Sequence, residues 1–398
     1  MHGGLGQGSG AQLTGGWAVV VVSREELANL PRWRDSFATE RKDHRFYELV
    51  EDTIRQGFDY DYFAIKNERG EVRAIQPFFI VDQDLLAGTH RYVQAAVNAA
   101  RRMWPGFLRM RTLMVGCSVG EGHLDGAEPT HRATAELLAA SITRLARELK
   151  APLIVLKEFP AKYRDSLQCF LNNGFTRVPS LPMTRLNIDY GNFDDYLNRA
   201  ISPRTRGKLR RKFRATARAA PTLEMSLVDD LTPVVEEVYP LYMQVYERSA
   251  LHFEKLTKEY LCALGQRMPD KTRFFLWRQR ARTIAFSICM VQENGIYSEY
   301  IGLDYSVAFD LNLYYVVFRD TVEWAIANGY KWFRSSSLNY DPKFHLRQSL
   351  DPIDLYVKHT SRVVNAVLSR ILPWIEPTRY DKTLPKFDNY KDLWAEKR

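Results

Sequence analysis

The sequence predicts an α/β protein built from two mixed-sheet units in tandem, and three observations carry that prediction. Residues 113–156 read as strand, Gly-rich loop, long helix, strand. Residues 296–335 repeat the order of strand, loop, helix and strand after an intervening basic stretch. The 398 residues, 45% hydrophobic and 13% aromatic, are enough to fill two cores.

Taken in order, residues 1–16 are rich in Gly and lack the apolar centre of a secretion signal, so they are expected to be a disordered tail. The first unit then runs over 17–190. A strand at 17–22 leads into a helix start at 23–29, where Ser23 can cap and Glu25 and Glu26 suit the first turn. A helix is expected over 46–56, and strands at 61–66 and 72–81 flank the hairpin turn 67–70. After the strand 113–115 come Gly116, Gly120, Gly122 and Gly126, then a helix at 131–150 with Leu137, Leu138, Ile142, Leu145 and Leu149 at helical spacing. A buried strand at 153–156 follows. A helix at 162–172 ends near Gly174, and strands at 175–178 and 183–188 are expected to close the unit.

The second unit is expected over 191–376. It holds helices at 231–249 and 258–268, strands at 272–278, 283–292 and 296–303, a loop at 304–312, a helix at 313–328 closed by Gly329, and a strand at 331–335. An edge strand at 353–359 and an amphipathic helix at 363–374 complete it. The apolar face of that helix, Val363, Val364, Val367, Leu368, Ile371 and Leu372, suits core packing better than a membrane surface. Residues 377–398 are expected to be a polar, extended C-terminal extension.

The net charge of +9 is local rather than general. Residues 202–218 contain eight Lys or Arg and no acid, and Ser202 with Pro203 opens a helix there. Arg206, Arg210, Arg214 and Arg218 recur every four residues, so like charges repel along one face unless an anionic partner is present. A solvated face, a nucleotide phosphate, RNA, an acidic carrier protein and an anionic membrane all fit that charge. Four widely spaced cysteines, without a CxxC pair, point away from a disulfide scaffold and from a zinc site. No apolar run is long enough to span a bilayer, and a cytoplasmic location without a metal is the simplest expectation.

Three segments resemble the Gcn5-related acetyltransferase superfamily, in its FemAB-like and BioF2-like acyltransferase branch with tandem domains. Residues 169–178 with 183–186 resemble the helix, Gly-Phe and closing strand that end such a domain. Residues 202–214 resemble the basic opening of the second domain, and 324–333 leading to Asp341, Pro342 and Lys343 resemble its helix, glycine, strand and downstream lysine. The resemblance implies two acyl-CoA N-acyltransferase-like domains. It also implies transfer of an acyl group from a thioester, either acyl-CoA or an acidic acyl carrier protein, to a small-molecule amine. Aminoacyl transfer from tRNA to a peptidoglycan precursor is the alternative, though the long helical arm of such enzymes is missing. A non-catalytic module binding RNA or another anion is the other.

Acyl transfer to an amine requires a proton acceptor, donors for an oxyanion and a route to protonate the leaving thiolate. Glu299 and Asp304, on and after the strand 296–303, are the candidate bases; each is also readable as an edge carboxylate paired with an Arg. Tyr340 is a candidate acid, Lys343 a candidate anion ligand, and His345 a candidate proton shuttle. Gly116, Gly120 and Gly122 form a candidate pyrophosphate cradle, or a plain turn, and Arg206, Arg210 and Arg214 are candidate donor contacts. Cys117, Glu121 and His123 cluster in sequence, and a buried structural Cys is the simpler reading than a nucleophile. Lys157 and Glu158 end a strand near the same cleft.

Overall fold

The structure, a computed structural model, describes residues 10–12, 16–84, 109–249 and 251–395. Seven strands come from the first half: β1 (Gly10–Gln12), β2 (Ala18–Val22), β3 (Asp59–Lys66), β4 (Val72–Asp84), β5 (Arg109–Val115), β6 (Leu153–Pro160) and β7 (Thr176–Pro179). The rest follow: β8 (Met183–Asn187), β9 (Leu223–Val228), β10 (Thr272–Gln279), β11 (Arg282–Gln292), β12 (Gly295–Leu303), β13 (Trp332–Ser335), β14 (Ser349–Asp351) and β15 (Ile353–His359). The helices are α1 (Arg24–Leu27), α2 (His44–Thr53), α3 (Glu128–Glu148), α4 (Arg164–Asn172), α5 (Phe193–Arg199), α6 (Pro203–Ala217), α7 (Val235–Arg248), α8 (Lys258–Arg267), α9 (Leu313–Ala327), α10 (Tyr340–His345) and α11 (Arg362–Ile375).

Local chemistry sets several of these limits. Ser23 and Glu26 form a capping box on α1, and Asp43 caps α2 by accepting from the Arg45 amide. The turn between β3 and β4 closes through the Gly70 amide on the Asn67 carbonyl, with Gly70 at φ 77°.

Two mixed sheets result. The first runs β1-β2-β3-β4-β5-β6-β15-β7 and the second β14-β8-β13-β12-β11-β10-β9. Within each sheet a single pair is parallel, β5 with β6 and β12 with β13, and α3 or α9 makes the crossover. The two sheets share one core. Trp33, Phe46, Tyr62 and Ile75 from the first half pack in the same cluster as Leu241, Tyr260, Phe274 and Phe286 from the second. A second cluster lies under α3 and α4, and a third under α5, α6 and α9 on the far face of the second sheet.

The ends of the chain depart from the sequence expectations. The strand expected to close the first unit, β8, joins the second sheet, where it pairs with β13 and β14. The strand expected at an edge, β15, lies inside the first sheet between β6 and β7. Each sheet therefore takes a strand from the opposite side of residue 190, because pattern along the chain says nothing about which sheet completes a hydrogen-bond ladder.

Within the expected tail, residues 10–12 pair with β2 as an edge strand; the remainder of 1–15 lies outside the described residues. The helix expected to be core, α11, has no buried residue. The C-terminal extension is not extended. It winds through three short 3-10 turns and buries Leu384, Phe387 and Leu393 against Tyr340 and Leu350. Arg164 and Arg177 hold its last carbonyls, from Asp392 to Ala395.

Candidate active site

A parallel pair of strands can part, leaving backbone donors and acceptors that something else must satisfy. The register of β5 with β6 ends at Val115 and Leu156, and that of β12 with β13 at Ser298 and Ser335. In the first sheet the loop after β5 turns back into the opening. Gly122 donates its amide to the carbonyls of Lys157 and Glu158 at 3.2 and 3.3 Å. A Cβ on Gly122 would lie 2.8 Å from the Lys157 carbonyl oxygen, so only glycine fits that approach.

Among the described residues, no backbone hydrogen bond like that of Gly122 crosses the parting in the second sheet. β12 continues from Glu299 to Leu303 with no strand beside it on the β13 side. Tyr297 to Ile301 are only half-buried, although β12 is the middle strand of seven. Five successive half-buried residues on a central strand make this stretch the candidate cleft.

An ionic network lies beside this cleft. Arg41 and Lys42, on the loop before α2, are both buried. Arg41 pairs with Glu121 through Nη2 and with Glu299 through Nε at 2.7 Å, and its guanidinium stacks over Tyr297 at 3.8 Å. Lys42 Nζ donates to the Val119 carbonyl at 2.9 Å and lies 3.3 Å from Glu121 Oε2. Arg334, from β13, donates to Glu121 Oε1 at 2.7 Å, and its Nε is 2.6 Å from Asp351. Burial pushes Glu121 up, but Arg41, Lys42 and Arg334 outweigh it and hold the carboxyl well below the usual range.

His123 extends the network toward Glu40 and Tyr163. Burial lowers it to about 3, so the imidazole is neutral. Its Nδ1 sits 3.6 Å from Glu40 and 3.4 Å from the Tyr163 hydroxyl. Among the described residues, His123 Nε2 and Arg41 Nη1 are buried without a hydrogen-bond partner. On another side of the loop, Lys157 Nζ donates to the Gly120 carbonyl at 2.8 Å, pairs with Glu158 at 2.9 Å and lies 4.9 Å over the Phe253 ring. Tyr300, half-buried on β12, donates its hydroxyl to Glu254 at 2.5 Å, and burial raises the Glu254 carboxyl.

The structure sorts the sequence candidates into three places. Glu299 sits at the parting point of β12 and β13, in the ionic network. Gly120 adjoins it, and a Cβ there would collide with the Lys42 ammonium. Gly116 and Gly122 spend their amides on the Pro77 carbonyl and on β6, so they make a packed turn and not a phosphate cradle. Cys117 is buried and its thiol is pushed up by burial, which removes the nucleophile reading.

Asp304 lies beyond the far end of β12, paired with Arg282 and accepting from the Ser306 amide and hydroxyl at 3.0 and 2.6 Å; it holds a turn. Tyr340 points away from the cleft, donating to the Pro182 carbonyl at 2.8 Å, and burial raises its hydroxyl far beyond any acid role. Lys343 is buried, donates to the Ser336 carbonyl and is lowered to about 7 by burial. His345 is exposed, 3.9 Å from Asp341. Arg206 donates to the Asn198 carbonyl at 3.0 Å, Arg210 to Asp194 at 2.8 Å, and Arg214 is exposed.

Arg41, Lys42, Arg334 and Glu254 escaped the sequence reading. Neighbouring charges on a loop usually stay in water, and here only the fold shows that the Arg41 and Lys42 pair is buried opposite Glu121.

A family model described as FemAB-like, peptidoglycan biosynthesis/recognition, matches residues 44–337. Among solved structures, FemX is 12% identical and matches over 82% of this chain and 93% of its own, with a TM-score of 0.50. A tandem GNAT protein from the clavulanic acid biosynthesis pathway is 10% identical over 87% of this chain and 99% of its own, with a TM-score of 0.49. L-PGS from Bacillus licheniformis is 12% identical over 88% and 96%, with a TM-score of 0.48. Among curated proteins none matches the chain in sequence.

Proposed function

The chain belongs to the FemAB-like family of acyltransferases with the tandem Gcn5-related fold, and from that premise we propose that it acylates an amine at the open edge of β12. The observation that supports this most is the parting of β12 from β13 beside Glu299, where β12 runs on half-buried without a partner strand. Backbone amides on the free edge of β12 are fixed donors for the oxygen of a tetrahedral intermediate. Glu299 takes a proton from the substrate ammonium, the freed amine nitrogen attacks the acyl carbonyl, and a C–N bond replaces the bond to the donor's leaving atom. With a thioester donor that atom is sulfur, and the leaving thiolate takes up the proton that the nitrogen loses as the amide forms. Arg41, shared between Glu299 and Glu121, fixes the carboxylate in place.

The donor we propose is a thioester, acyl-CoA or an acyl carrier protein. Its phosphates are not assigned to the 116–122 loop, whose Gly116 and Gly122 amides are spent. A second reading, aminoacyl transfer from tRNA to a peptidoglycan precursor, draws support from the family description and from α6. That helix leaves Arg204, Lys208, Arg211, Arg214 and Arg218 exposed with no acid among them. Incubation with a panel of acyl-CoA donors and a thiol reagent, beside a parallel incubation with aminoacyl-tRNA, separates the two. Glu299→Gln is expected to lower kcat by about 10²–10⁴ with the productive donor while leaving Tm within a few degrees. Full activity of Glu299→Gln overturns the proposed site.

A further inference from the structure

The helix α11 is attached to the first sheet by one side only. Leu368 and Leu372 pack on the cluster that includes Phe79, Met114 and Val357, and Asn365 accepts from the His359 amide and donates to the Gly174 carbonyl. With those residues inward, helical geometry turns Val363, Val367 and Trp374 straight out. They are 76%, 52% and 75% exposed. A solvated helix carries polar residues on that face; this one carries its apolar residues there. Its only charges are Arg362 and Arg370, both exposed, and residues 362–375 contain no acid.

One neighbouring feature shares this character. Phe253, 36% exposed, packs against Phe58 and Phe79 of that cluster on one side and under Lys157 on the other. The apolar side of the molecule thus reaches the region of the candidate cleft.

We propose that α11 docks on the surface of an anionic lipid bilayer. Val363, Val367 and Trp374 enter the boundary between headgroups and acyl chains, and Arg362 and Arg370 meet lipid phosphates. An apolar face with exclusively positive charge is complementary to such a surface, whereas a protein partner would have no reason to require the missing acids. No helix among the described residues is long and apolar enough to cross a membrane, so the attachment is lateral and reversible.

The test is co-sedimentation of the full chain with vesicles of phosphatidylcholine alone and of phosphatidylcholine with phosphatidylglycerol in equal parts. The wild type should partition onto the anionic vesicles about tenfold or more over the neutral ones, the preference falling with salt. Val363→Glu with Val367→Glu should abolish that partition without changing Tm, because neither side chain is buried. Arg362→Gln with Arg370→Gln should remove the anionic preference alone. Absence of sedimentation with the anionic vesicles overturns the proposal. A concentration-dependent dimer that the Val363→Glu, Val367→Glu protein fails to form overturns it in favour of a second copy. None of these readouts uses acyl transfer, so the docking and the proposed reaction fail separately.

Discussion

The two parallel pairs, β5 with β6 and β12 with β13, start from the same grammar and end differently. In the first, Gly122 turns back onto Lys157 and Glu158 and the opening becomes core. In the second, β12 runs on unaccompanied and its middle residues remain half-exposed. The first opening also supplies Glu121, whose carboxylate is the anchor for Arg41, Lys42 and Arg334 around the second. One half has turned its gap into a support, and the other leaves β12 unaccompanied beyond Ser298. Stability and activity should therefore separate along this line.

The largest effect tests the support. Glu121→Gln leaves three buried cations without their shared anion, and a loss of ~3–5 kcal/mol is expected in urea unfolding. A loss under about 1 kcal/mol would mean that the cations find other partners. Next comes Gly122→Ala, where the new methyl meets a backbone oxygen and the Phe159 ring, neither able to swing aside. A cost of ~1–3 kcal/mol is expected, with KM for the donor unchanged in the folded fraction. If that variant folds normally and instead loses donor affinity, the filled opening is a binding site after all and the contrast breaks.

An effect of similar size has the opposite sign. Lys343 is lowered by burial to about 7, against 10.5 in the unfolded chain. Between those values the unfolded state binds the extra proton, so this group favours folding fully above pH 10.5 and loses that contribution as pH falls to 7. Lys343→Met should raise stability at pH 7 by ~1–3 kcal/mol, with the gain shrinking toward pH 10.5. A destabilised variant with a flat pH profile would point to a charged, paired lysine.

Much of the fold was legible because apolar periodicity is a local property. The strand, loop, helix and strand of each half fall close to their expected positions, and the Gly174 and Gly329 stops hold at φ 80° and 78°. The place of Glu299 on the strand 296–303 was legible; that this strand lies in the middle of its sheet was not. Asp304 carried the same signature, and the structure pairs both carboxylates with an Arg, Glu299 with Arg41 and Asp304 with Arg282. Burial separates the two, and burial is a tertiary fact. The same holds for Lys343, whose type and position were visible but whose isolation from any carboxylate was not. Helix α11 was misread for the converse reason. Its pattern correctly gives an amphipathic helix, but no pattern states which side a sheet will cover.

The exchange of β8 and β15 bears on how the protein is made. Pro160 of β6 has its sheet partner at Ile353, and β7 touches the first sheet only through β15. During synthesis the N-terminal half emerges with β6 as a bare edge and β7 unattached. It stays so until the last strand leaves the ribosome, on the order of 10–40 s later at ordinary translation rates. An unpaired edge of that kind is an aggregation template, so a nascent chain paused mid-gene is the vulnerable species. A gene split at the apparent boundary near residue 190 would yield two fragments that each lack a strand the other holds.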